Sequence, residues 1–307
     1  MNILVTGGAG FIASNIVDAY IDLGHNVIIL DNLSTGRKEF INPKATFYEK
    51  DIRDKSIAEI FDNHKIDIIN HHAAQIDLRK SVENPAFDVD NNVIGGINLF
   101  QNAVKYNVGK VIFASTGGAI YGEHDYFPAD EEHPTRPYAP YGINKLTLEK
   151  YLFYYNHVYG LNYTVFRYAN IYGPRQNPYG ECGVIAIFTD KILKNILPLI
   201  NGDGGQTRDY VYVKDVVKAN VLALNDKACT IYNIGTSVET SVNYIFDKLN
   251  LFAGTNFKEN HGPEKKGEQR RSVLGYGKIK KELGWEPSVQ MENGLKMTVE
   301  YFKTHKI

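Results

Sequence analysis

A glycine turn close to the start of the chain limits the possible fold more than any other feature. Residues 2–5 form an apolar, β-branched run that predicts a buried strand, and residues 14–23 predict a helix. Between them lie Gly7, Gly10 and Ala13. Gly7 permits a tight turn, while Gly10 lets a phosphate approach the backbone at the positive end of the helix. The segment therefore predicts a dinucleotide site in which Ala13 replaces the third glycine of the commoner pattern.

An acidic residue follows the second predicted strand, residues 26–30. Asp31 lies 21 residues after Gly10, where a carboxylate can accept hydrogen bonds from both hydroxyls of an adenosine ribose. The same charge would repel a 2′-phosphate, which favours NAD over NADP. The alternative is an aspartate that only caps the turn at 31–34. The predicted cofactor contacts in this part of the chain are Gly7, Gly10, Phe11, Ile12, Asp31, Asn32, Asp51 and Ile52. Of these, Asp51 and Ile52, which follow the third predicted strand, are expected to meet the adenine.

Short apolar runs alternate with helical patterns through the first half of the chain. Further strands are predicted at 45–48, 66–70, 110–114 and 163–168, and helices at 56–64, 89–106 and 144–159. This order indicates right-handed βαβ units and an α/β fold of Rossmann type, with a doubly wound parallel sheet. The alternation becomes less regular after Tyr172. We expect an NAD-binding domain over 1–171 and a smaller C-terminal α/β substrate lobe over 172–307, with some segments returning to the main sheet.

Composition and charge exclude several classes of protein. The 307 residues are 43% hydrophobic and 22% charged, as in an ordinary globular enzyme, and the net charge is -1. This balance argues against a nucleic-acid surface, since the basic cluster at 265–271 is short. Cys182 and Cys229 are too few for a disulfide framework or a zinc site. We expect no signal peptide, membrane span or metal, and hence a soluble, cytoplasmic protein.

A tyrosine and a lysine indicate catalysis. Tyr141 and Lys145 form the pattern Y-x-x-x-K, so on a helix they would share one face, and the ammonium would lower the pKa of the tyrosine. With 21 tyrosines in the chain, the pattern alone has little weight. It gains weight from Ser115 and Thr116, which follow a predicted strand and so reach the edge of the sheet that carries the glycine turn. Either hydroxyl could bind a reacting oxygen or only cap a helix, and Thr116 is preferred.

Together these motifs resemble the extended short-chain dehydrogenase/reductase family, and within it the enzymes that epimerise UDP-hexoses at C4. The similar segments cover nearly the whole chain and lie at 6–12, 31–36, 72–75, 115–122, 141–145, 167–176, 202–213 and 283–287. The resemblance implies an isomerase that interconverts UDP-glucose and UDP-galactose through a 4-keto sugar, with tightly bound NAD regenerated in each cycle. It also implies a homodimer built on helices 89–106 and 144–159.

The resemblance implies roles for individual residues. Tyr141 would be the acid and base, Lys145 would hold the nicotinamide ribose, and Thr116, with Ser115 as the alternative, would bind the sugar oxygen. The implied cofactor contacts in this part of the chain are Ala73, Ala74, Asn92, Tyr141, Lys145 and Tyr168. The implied contacts to the UDP-sugar are Thr116, Asn170, Val184, Arg208, Tyr210, Glu268, Arg271 and Ser272.

Three positions near the substrate contacts leave alternatives open. Arg208 suits a diphosphate because its planar fork binds phosphate oxygens in pairs, but it could also form a surface ion pair with Asp209. Lys265 stands where the family usually has an arginine, so phosphate binding could shift to one of the arginines at 270–271. Ser272 stands where some relatives have a bulky residue. We therefore expect room for an N-acetyl group at C2 of the sugar, and turnover of UDP-GlcNAc and UDP-GalNAc.

The nearest alternative functions share the fold. A nucleotide-sugar dehydratase or decarboxylase would need carboxylates directly after Thr116, where residues 117–119 are two glycines and an alanine. A ketoreductase would consume reduced cofactor, and Asp31 together with the epimerase-like second half makes it the weaker alternative. A redox-sensing binding protein that had lost catalysis would be expected to lack Tyr141 or Lys145.

Overall fold

The computed structural model describes residues 1–179, 183–265 and 269–305. Its first half alternates strands with helices, as predicted. The strands are β1 (Asn2–Thr6), β2 (Asn26–Asp31), β3 (Thr46–Glu49), β4 (Ile68–His71), β5 (Lys110–Thr116) and β6 (Asn162–Tyr168). The helices are α1 (Phe11–Asp22), α2 (Ala58–Asn63), α3 (Leu78–Glu83), α4 (Pro85–Val89), α5 (Gly95–Lys105), α6 (Gly117–Ile120) and α7 (Pro140–Tyr159). Short 3-10 turns span Lys38–Phe40 and Lys55–Ile57, and a π turn spans Asp90–Ile94.

The second half has shorter strands and forms most of a second lobe. Its strands are β7 (Asn170–Tyr172), β8 (Ile200–Asn201), β9 (Thr207–Arg208), β10 (Tyr210–Tyr212), β11 (Thr230–Ile234), β12 (Thr240–Ser241), β13 (His261–Gly262) and β14 (Arg271–Ser272). Its helices are α8 (Val184–Leu193), α9 (Val213–Ala223), α10 (Val242–Ala253), α11 (Gly277–Leu283) and α12 (Met291–Thr304). The predicted division of the chain into 1–171 and 172–307 falls within β7 and stays a prediction.

Within the described residues, the main sheet has seven parallel strands in the order β11-β6-β5-β4-β1-β2-β3. The predicted doubly wound α/β fold is confirmed, and β11 is a segment that returns from the second half to the main sheet. The strand order reverses between β1 and β4. In sheets of this kind the connections leave in opposite directions at such a point, and a crevice opens at the carboxyl ends of the two strands.

Alternate side chains of β1 enter two apolar layers, one on each face of the sheet. Ile3 and Val5 belong to the layer beneath α1 and α9, whereas Leu4 belongs to the layer beneath α5 and α7. All three are fully buried, as expected for a parallel sheet covered on both faces. A third apolar cluster joins α8, α10 and α12 in the second lobe. In the part of the chain that is described, no helix has both the length and the apolar character required to cross a bilayer.

Helix α7 begins earlier than the predicted range of 144–159. Pro140 occupies its first turn, where the missing N–H costs no hydrogen bond and the fixed φ favours the helical conformation. The helix ends at Gly160, which has a φ of +71°. Tyr141 therefore lies in the first turn of α7, four residues before Lys145 on the same helix.

The long helix predicted at 89–106 is present but begins earlier, because α4, the π turn and α5 follow one another without leaving the helical conformation. Glycine explains how closely α5 approaches α7. A Cβ on Gly96 would come within 2.7 Å of the side chain of Leu148 on α7. A larger residue at this position would push the two helices apart.

A buried ion pair fastens α7 to the sheet. Arg167 on β6 donates from Nε and Nη2 to the two carboxylate oxygens of Glu149 on α7, at 3.0 and 2.6 Å. Ser115 on β5 donates to the same carboxylate at 2.6 Å, and Nη1 of Arg167 donates to the hydroxyl of Tyr121 at 2.9 Å. All four side chains are buried. Because a buried charge without a partner is costly, these contacts hold α7 against the carboxyl ends of β5 and β6.

We predict that Glu149→Ala lowers the free energy of unfolding by about 3–5 kcal/mol, since the Arg167 guanidinium would remain buried without its carboxylate. Urea denaturation followed by circular dichroism measures this loss. Glu286→Ala is the matched control, because Glu286 pairs with Lys280 at an exposed position. The control should cost less than about 1 kcal/mol. Equal small losses in both variants would contradict the role given to Glu149.

Candidate active site

The glycine turn after β1 has the geometry of a phosphate site. Gly7 has a φ of +71°, and a Cβ there would lie 2.8 Å from the backbone nitrogen of Ala73, so only glycine fits. The N–H of Gly10 donates to the carbonyl of Gly7 at 2.9 Å, and α1 begins directly afterwards. The first-turn N–H groups, at Phe11 and Ile12, have no helical acceptor and are suited to bind an anion.

Asp31 ends β2 beside this turn. Its Oδ2 accepts the N–H of Ala9 at 3.0 Å, and its Oδ1 accepts the N–H of Leu33 at 2.8 Å. The turn-capping alternative is therefore observed, but a carboxylate has about four acceptor sites and can still accept from a ribose. Burial raises the pKa of Asp31 above its ordinary value. The loop after β2 passes close to the Asp31 carboxylate at Gly36. A Cβ at this glycine would lie 2.8 Å from Oδ1 of Asp31.

Hydrogen bonds hold the polar side chains at the predicted adenine contact in place. Asn32 donates from Nδ2 to Oδ2 of Asp51 at 2.8 Å. Arg53 binds both oxygens of the same carboxylate, at 2.9 and 2.8 Å, and these hydrogen bonds lower the pKa of Asp51 to about 2. The neighbouring Ile52 is buried and would be in close contact with any Cβ on Gly95. The carboxylate of Asp51 is thus ionised and held in place by Arg53. Its contact with adenine stays a prediction.

The loop after β4 continues the crevice floor. The hydroxyl of Thr6 accepts the N–H of Ala73 at 3.1 Å, and Oδ1 of Asn92 accepts the N–H of Gln75 at 2.9 Å. Asn92 therefore fixes the loop that contains Ala74. Tyr168 meets Nε2 of His72 through its hydroxyl at 3.1 Å. Nδ1 of His72 is buried and has no hydrogen-bond partner among the described residues.

These features fit a dinucleotide. The cradle at Gly7 and Gly10 would be filled by any Cβ, the start of α1 supplies free N–H groups, and Asp31 retains acceptor capacity. The orphaned nitrogen of His72 is a further polar group at the same edge of the sheet. Among the described residues, no group of three or more histidine, cysteine, aspartate or glutamate side chains is arranged to hold a metal ion.

Lys145 lies beneath Tyr141 on α7. Its ammonium is 5.8 Å from the centroid of the Tyr141 ring and donates to the carbonyl of Ala114 at 2.8 Å. Only 3% of the lysine is exposed, and burial lowers its pKa to about 8. The carboxylate of Asp88 opposes this shift by favouring the ammonium. The two residues of the Y-x-x-x-K pattern therefore share one face, as the sequence predicts.

The predicted effect of Lys145 on Tyr141 is wrong for the protein alone. Burial raises the pKa of Tyr141 well above its ordinary value, and the negative charge of Asp88 raises it further. The ammonium of Lys145 is directed to the carbonyl of Ala114 and does not outweigh these two effects. Tyr141 is therefore a firmly protonated phenol until more positive charge is brought beside it.

The two strand-end hydroxyls have different surroundings. Ser115 is 3% exposed and donates to Glu149, so its hydroxyl is committed to the buried ion pair. Thr116 is half-buried, and its Oγ1 accepts the N–H of Ala119 at 3.3 Å as the cap of α6. Successive residues of a strand point to opposite faces, so only one of the pair can serve the site. Thr116 remains the candidate.

Most of the predicted substrate contacts lie on short strands of the second half of the chain. Asn170 begins β7, and its Oδ1 lies 4.0 Å from the place of a Cβ on Gly118, close to Thr116 in the chain. Arg208 on β9 is paired in register with Ser272 on β14. Nη1 of Arg208 donates to the carbonyl of Thr207 at 2.7 Å. Tyr210 is buried on β10, and Val184 begins α8.

Asp209 does not have the surface position expected for an ion pair with Arg208. Asp209 is 1% exposed, and its carboxylate accepts hydrogen bonds from Thr236, Ser237 and Leu274. Burial raises its pKa to about 6 despite these donors. Asp209 is therefore a buried clamp on three neighbouring segments.

The two arginines considered as replacements for the family arginine already bind carboxylates. Arg270 donates to both oxygens of Asp203, at 2.7 and 2.8 Å, and Arg271 donates to both oxygens of Glu239, at 2.9 and 2.6 Å. The guanidinium of Arg271 also lies 3.8 Å from the ring centroid of Phe127. A phosphate at either arginine would have to compete with a carboxylate. Ser272 is buried, and the predicted contact Glu268 lies outside the described residues.

Sequence reasoning missed the buried groups that support this site. Glu149 could have been found, since it lies one further turn along the helix face of Tyr141 and Lys145. Asp88 and Asn144 belong to no motif, and only the structure brings them together, with Nδ2 of Asn144 donating to Oδ2 of Asp88 at 2.6 Å.

The chain matches the model of the NAD dependent epimerase/dehydratase family over residues 3–235. Among solved structures it is similar to a UDP-glucose 4-epimerase from Thermotoga maritima with UDP-glucose, with a TM-score of 0.97 and 50% identity over 99% of both chains. A Thermus thermophilus UDP-glucose 4-epimerase in complex with NAD gives 0.94 and 40% over 99% of both chains. A UDP-N-acetylglucosamine 4-epimerase from Methanobrevibacter ruminantium gives 0.93 and 32%, over 99% of this chain and 98% of that one.

These matches span the glycine turn, the strand-end hydroxyls and the tyrosine–lysine pair, and they confirm the resemblance stated from the sequence. The chain belongs to the NAD-dependent epimerase/dehydratase family.

Proposed function

We propose that the protein is an NAD-dependent epimerase that interconverts UDP-glucose and UDP-galactose at C4. The observation that carries this proposal is the position of Tyr141 and Lys145 on α7, at the edge of the sheet that also carries the glycine turn and Thr116. The similarity to UDP-glucose 4-epimerases over nearly the whole chain supports the same reaction.

NAD, when bound, supplies an acceptor for the hydride of C4 and returns it later to the other face of the sugar. Gly7, Gly10 and Asp31 would hold the dinucleotide, and Lys145 would bind the nicotinamide ribose. Once ionised beside the bound cofactor, Tyr141 would take the proton of the 4-hydroxyl as the 4-keto sugar forms, and return it after the sugar has turned over. Thr116 would orient the reacting oxygen by a hydrogen bond.

The substrate would lie between the sheet edge and the second lobe. We place the sugar at Thr116 and Asn170 and the diphosphate at Arg208, whose planar fork suits paired phosphate oxygens. The further proposed contacts are Val184, Tyr210, Glu268, Arg271 and Ser272. Arg271 would serve only if it exchanged Glu239 for the substrate.

A dehydratase or decarboxylase is less well supported. The half-buried Thr116 is followed by α6, whose residues at 117–119 carry no acid. The buried carboxylates of Asp88 and Glu149 hold neighbouring elements through hydrogen bonds and are not placed after the strand-end hydroxyl. Simple epimerisation requires only the tyrosine, the hydroxyl and the cofactor.

We also propose a homodimer formed through α5 and α7. Helix α7 exposes Ile143, Tyr154 and Val158, which are spaced to lie on one stripe, and Ile94 is half exposed beside it just before α5. An apolar stripe of this kind is typical of a surface that a second chain covers.

We predict that Tyr141→Phe lowers kcat for UDP-galactose by about 10²–10⁴-fold, because the phenol that moves the proton is removed. Coupled measurement of UDP-glucose formation gives the rate, and the nucleotide content of the purified variant should stay unchanged. Tyr159→Phe, an exposed change on the same helix, is the control and should retain activity. A fully active Tyr141→Phe would refute the proposed mechanism.

Asp31 should set the choice of cofactor. After removal of bound nucleotide, we expect the protein to bind NAD at least about tenfold more tightly than NADP, because the carboxylate repels a 2′-phosphate. Asp31→Ser should narrow this difference, while Asp22→Ser at the exposed end of α1 should not. Calorimetric titration gives both constants, and an unchanged preference in Asp31→Ser would count against the assigned role.

Ser272 should leave room for an N-acetyl group at C2. We expect measurable conversion of UDP-GlcNAc to UDP-GalNAc, since a small side chain occupies this position. The similar structure of a UDP-N-acetylglucosamine 4-epimerase is in keeping with this expectation. Product analysis by chromatography tests it, with UDP-glucose as the reference substrate. Total inactivity on UDP-GlcNAc would overturn it.

A further inference from the structure

Asp88 is a buried carboxylate that the proposed mechanism does not use. It lies on α4 and is fully buried. Its Oδ2 accepts Nδ2 of Asn144 at 2.6 Å, and its Oδ1 accepts Nε2 of Gln75 at 2.8 Å and Nδ2 of Asn92 at 3.2 Å. A carboxylate held by three donors in the interior is costly to desolvate and is retained only where its hydrogen bonds do something specific.

The three donors come from three parts of the proposed site. Gln75 belongs to the loop after β4, and Asn92 lies in the π turn that interrupts the helix before α5. Asn144 lies on α7, directly before Lys145 and three residues after Tyr141. Asp88 therefore joins the cofactor loop to the helix that carries the proton-transferring pair. A shift of Asp88 would move both at once.

We propose that Asp88 is a positioning residue for the reaction proposed above, whose carboxylate ties the loop after β4 to the start of α7. The proposal rests on that function. The charge of Asp88 also acts on the pair on α7, since it raises the pKa of Tyr141 and favours the ammonium of Lys145. Tyr141 would need further positive charge beside it, such as that of an oxidised nicotinamide, to ionise and so take the proton of the sugar.

The other charged and titratable groups near the pair do not replace Asp88. Burial lowers the pKa of His71, the last residue of β4, well below its ordinary value and that of the following His72 to about 3, so both imidazoles are neutral at neutral pH. Glu149 on α7 is neutralised by Arg167. The negative charge of Asp88 is the one that raises the pKa of Tyr141, in addition to burial.

Asp88→Asn keeps the size of the side chain and removes its charge. In enzyme with bound NAD, labelled with ¹³Cζ-tyrosine, we expect the ionisation midpoint of Tyr141 to fall by about one pH unit, since a buried charge of this kind shifts a neighbour by roughly that amount. The resonance is assigned by its loss in Tyr141→Phe. The Tyr141 limb of the kcat profile should move to lower pH by the same amount.

Glu83→Gln is the matched control, since it removes an exposed carboxylate from the neighbouring α3. It should leave both midpoints where they are. If Tyr141 in Asp88→Asn titrated at the same pH as in the unaltered enzyme, the effect assigned to the charge of Asp88 would be overturned. The spectroscopic shift does not depend on turnover, so an enzyme that shows the shift but fails to epimerise UDP-galactose would sink the proposed function and not the role of Asp88 in setting the charge.

Asn144→Ala separates the clamp from the charge. It removes the shortest hydrogen bond to Asp88 but keeps the carboxylate, so we expect kcat to fall about tenfold or more, KM to change less, and the Tyr141 midpoint not to fall. This variant carries the test alone if Asp88→Asn does not fold. An unchanged kcat in Asn144→Ala would refute the positioning role.

Discussion

The shared direction of the sheet strands is the constraint on which the rest of this structure depends. Because all strands of the main sheet are parallel, their carboxyl ends meet at one edge. This edge brings together residues that are far apart in the sequence, namely the glycine turn after β1, Asp31 at the end of β2 and Thr116 at the end of β5. Helix α7 then adds Tyr141, and the buried pair of Glu149 and Arg167 holds it in place.

Burial shifts the pKa values of the two catalytic candidates, Tyr141 and Lys145, in opposite directions. Desolvation raises the pKa of Tyr141 and lowers that of Lys145 to about 8, so each group is pushed towards its neutral form. Asp88 opposes the change at the lysine and reinforces it at the tyrosine. Near neutral pH the phenol therefore keeps its proton, and the lysine, with a pKa of about 8, remains mainly charged. Positive charge from a bound cofactor would have to lower the pKa of Tyr141 before this phenol could exchange a proton with the sugar.

The sequence predicted the elements whose chemistry is local. Glycine at Gly7 is required by the turn itself, and Tyr141 and Lys145 lie one helical turn apart wherever that helix is placed. The parallel, doubly wound sheet followed from the alternation of strands and helices. Its strand order and the identity of β11 as the returning segment were seen only in the structure. Contacts between distant segments could not be predicted. Asp88 and Asn144 are 56 residues apart, and only the packing of α4 against α7 makes them partners. The commitment of Ser115 to Glu149 has the same origin.

The central claim is that the hydride removed from C4 stays on bound cofactor and returns to the same sugar. Epimerisation of UDP-galactose by the purified protein in D₂O, without added NAD, tests this most directly. We expect UDP-glucose that carries no deuterium at C4, as measured by proton NMR and mass spectrometry. Deuterium at C4 would show that the hydrogen exchanges with solvent, and would contradict the account.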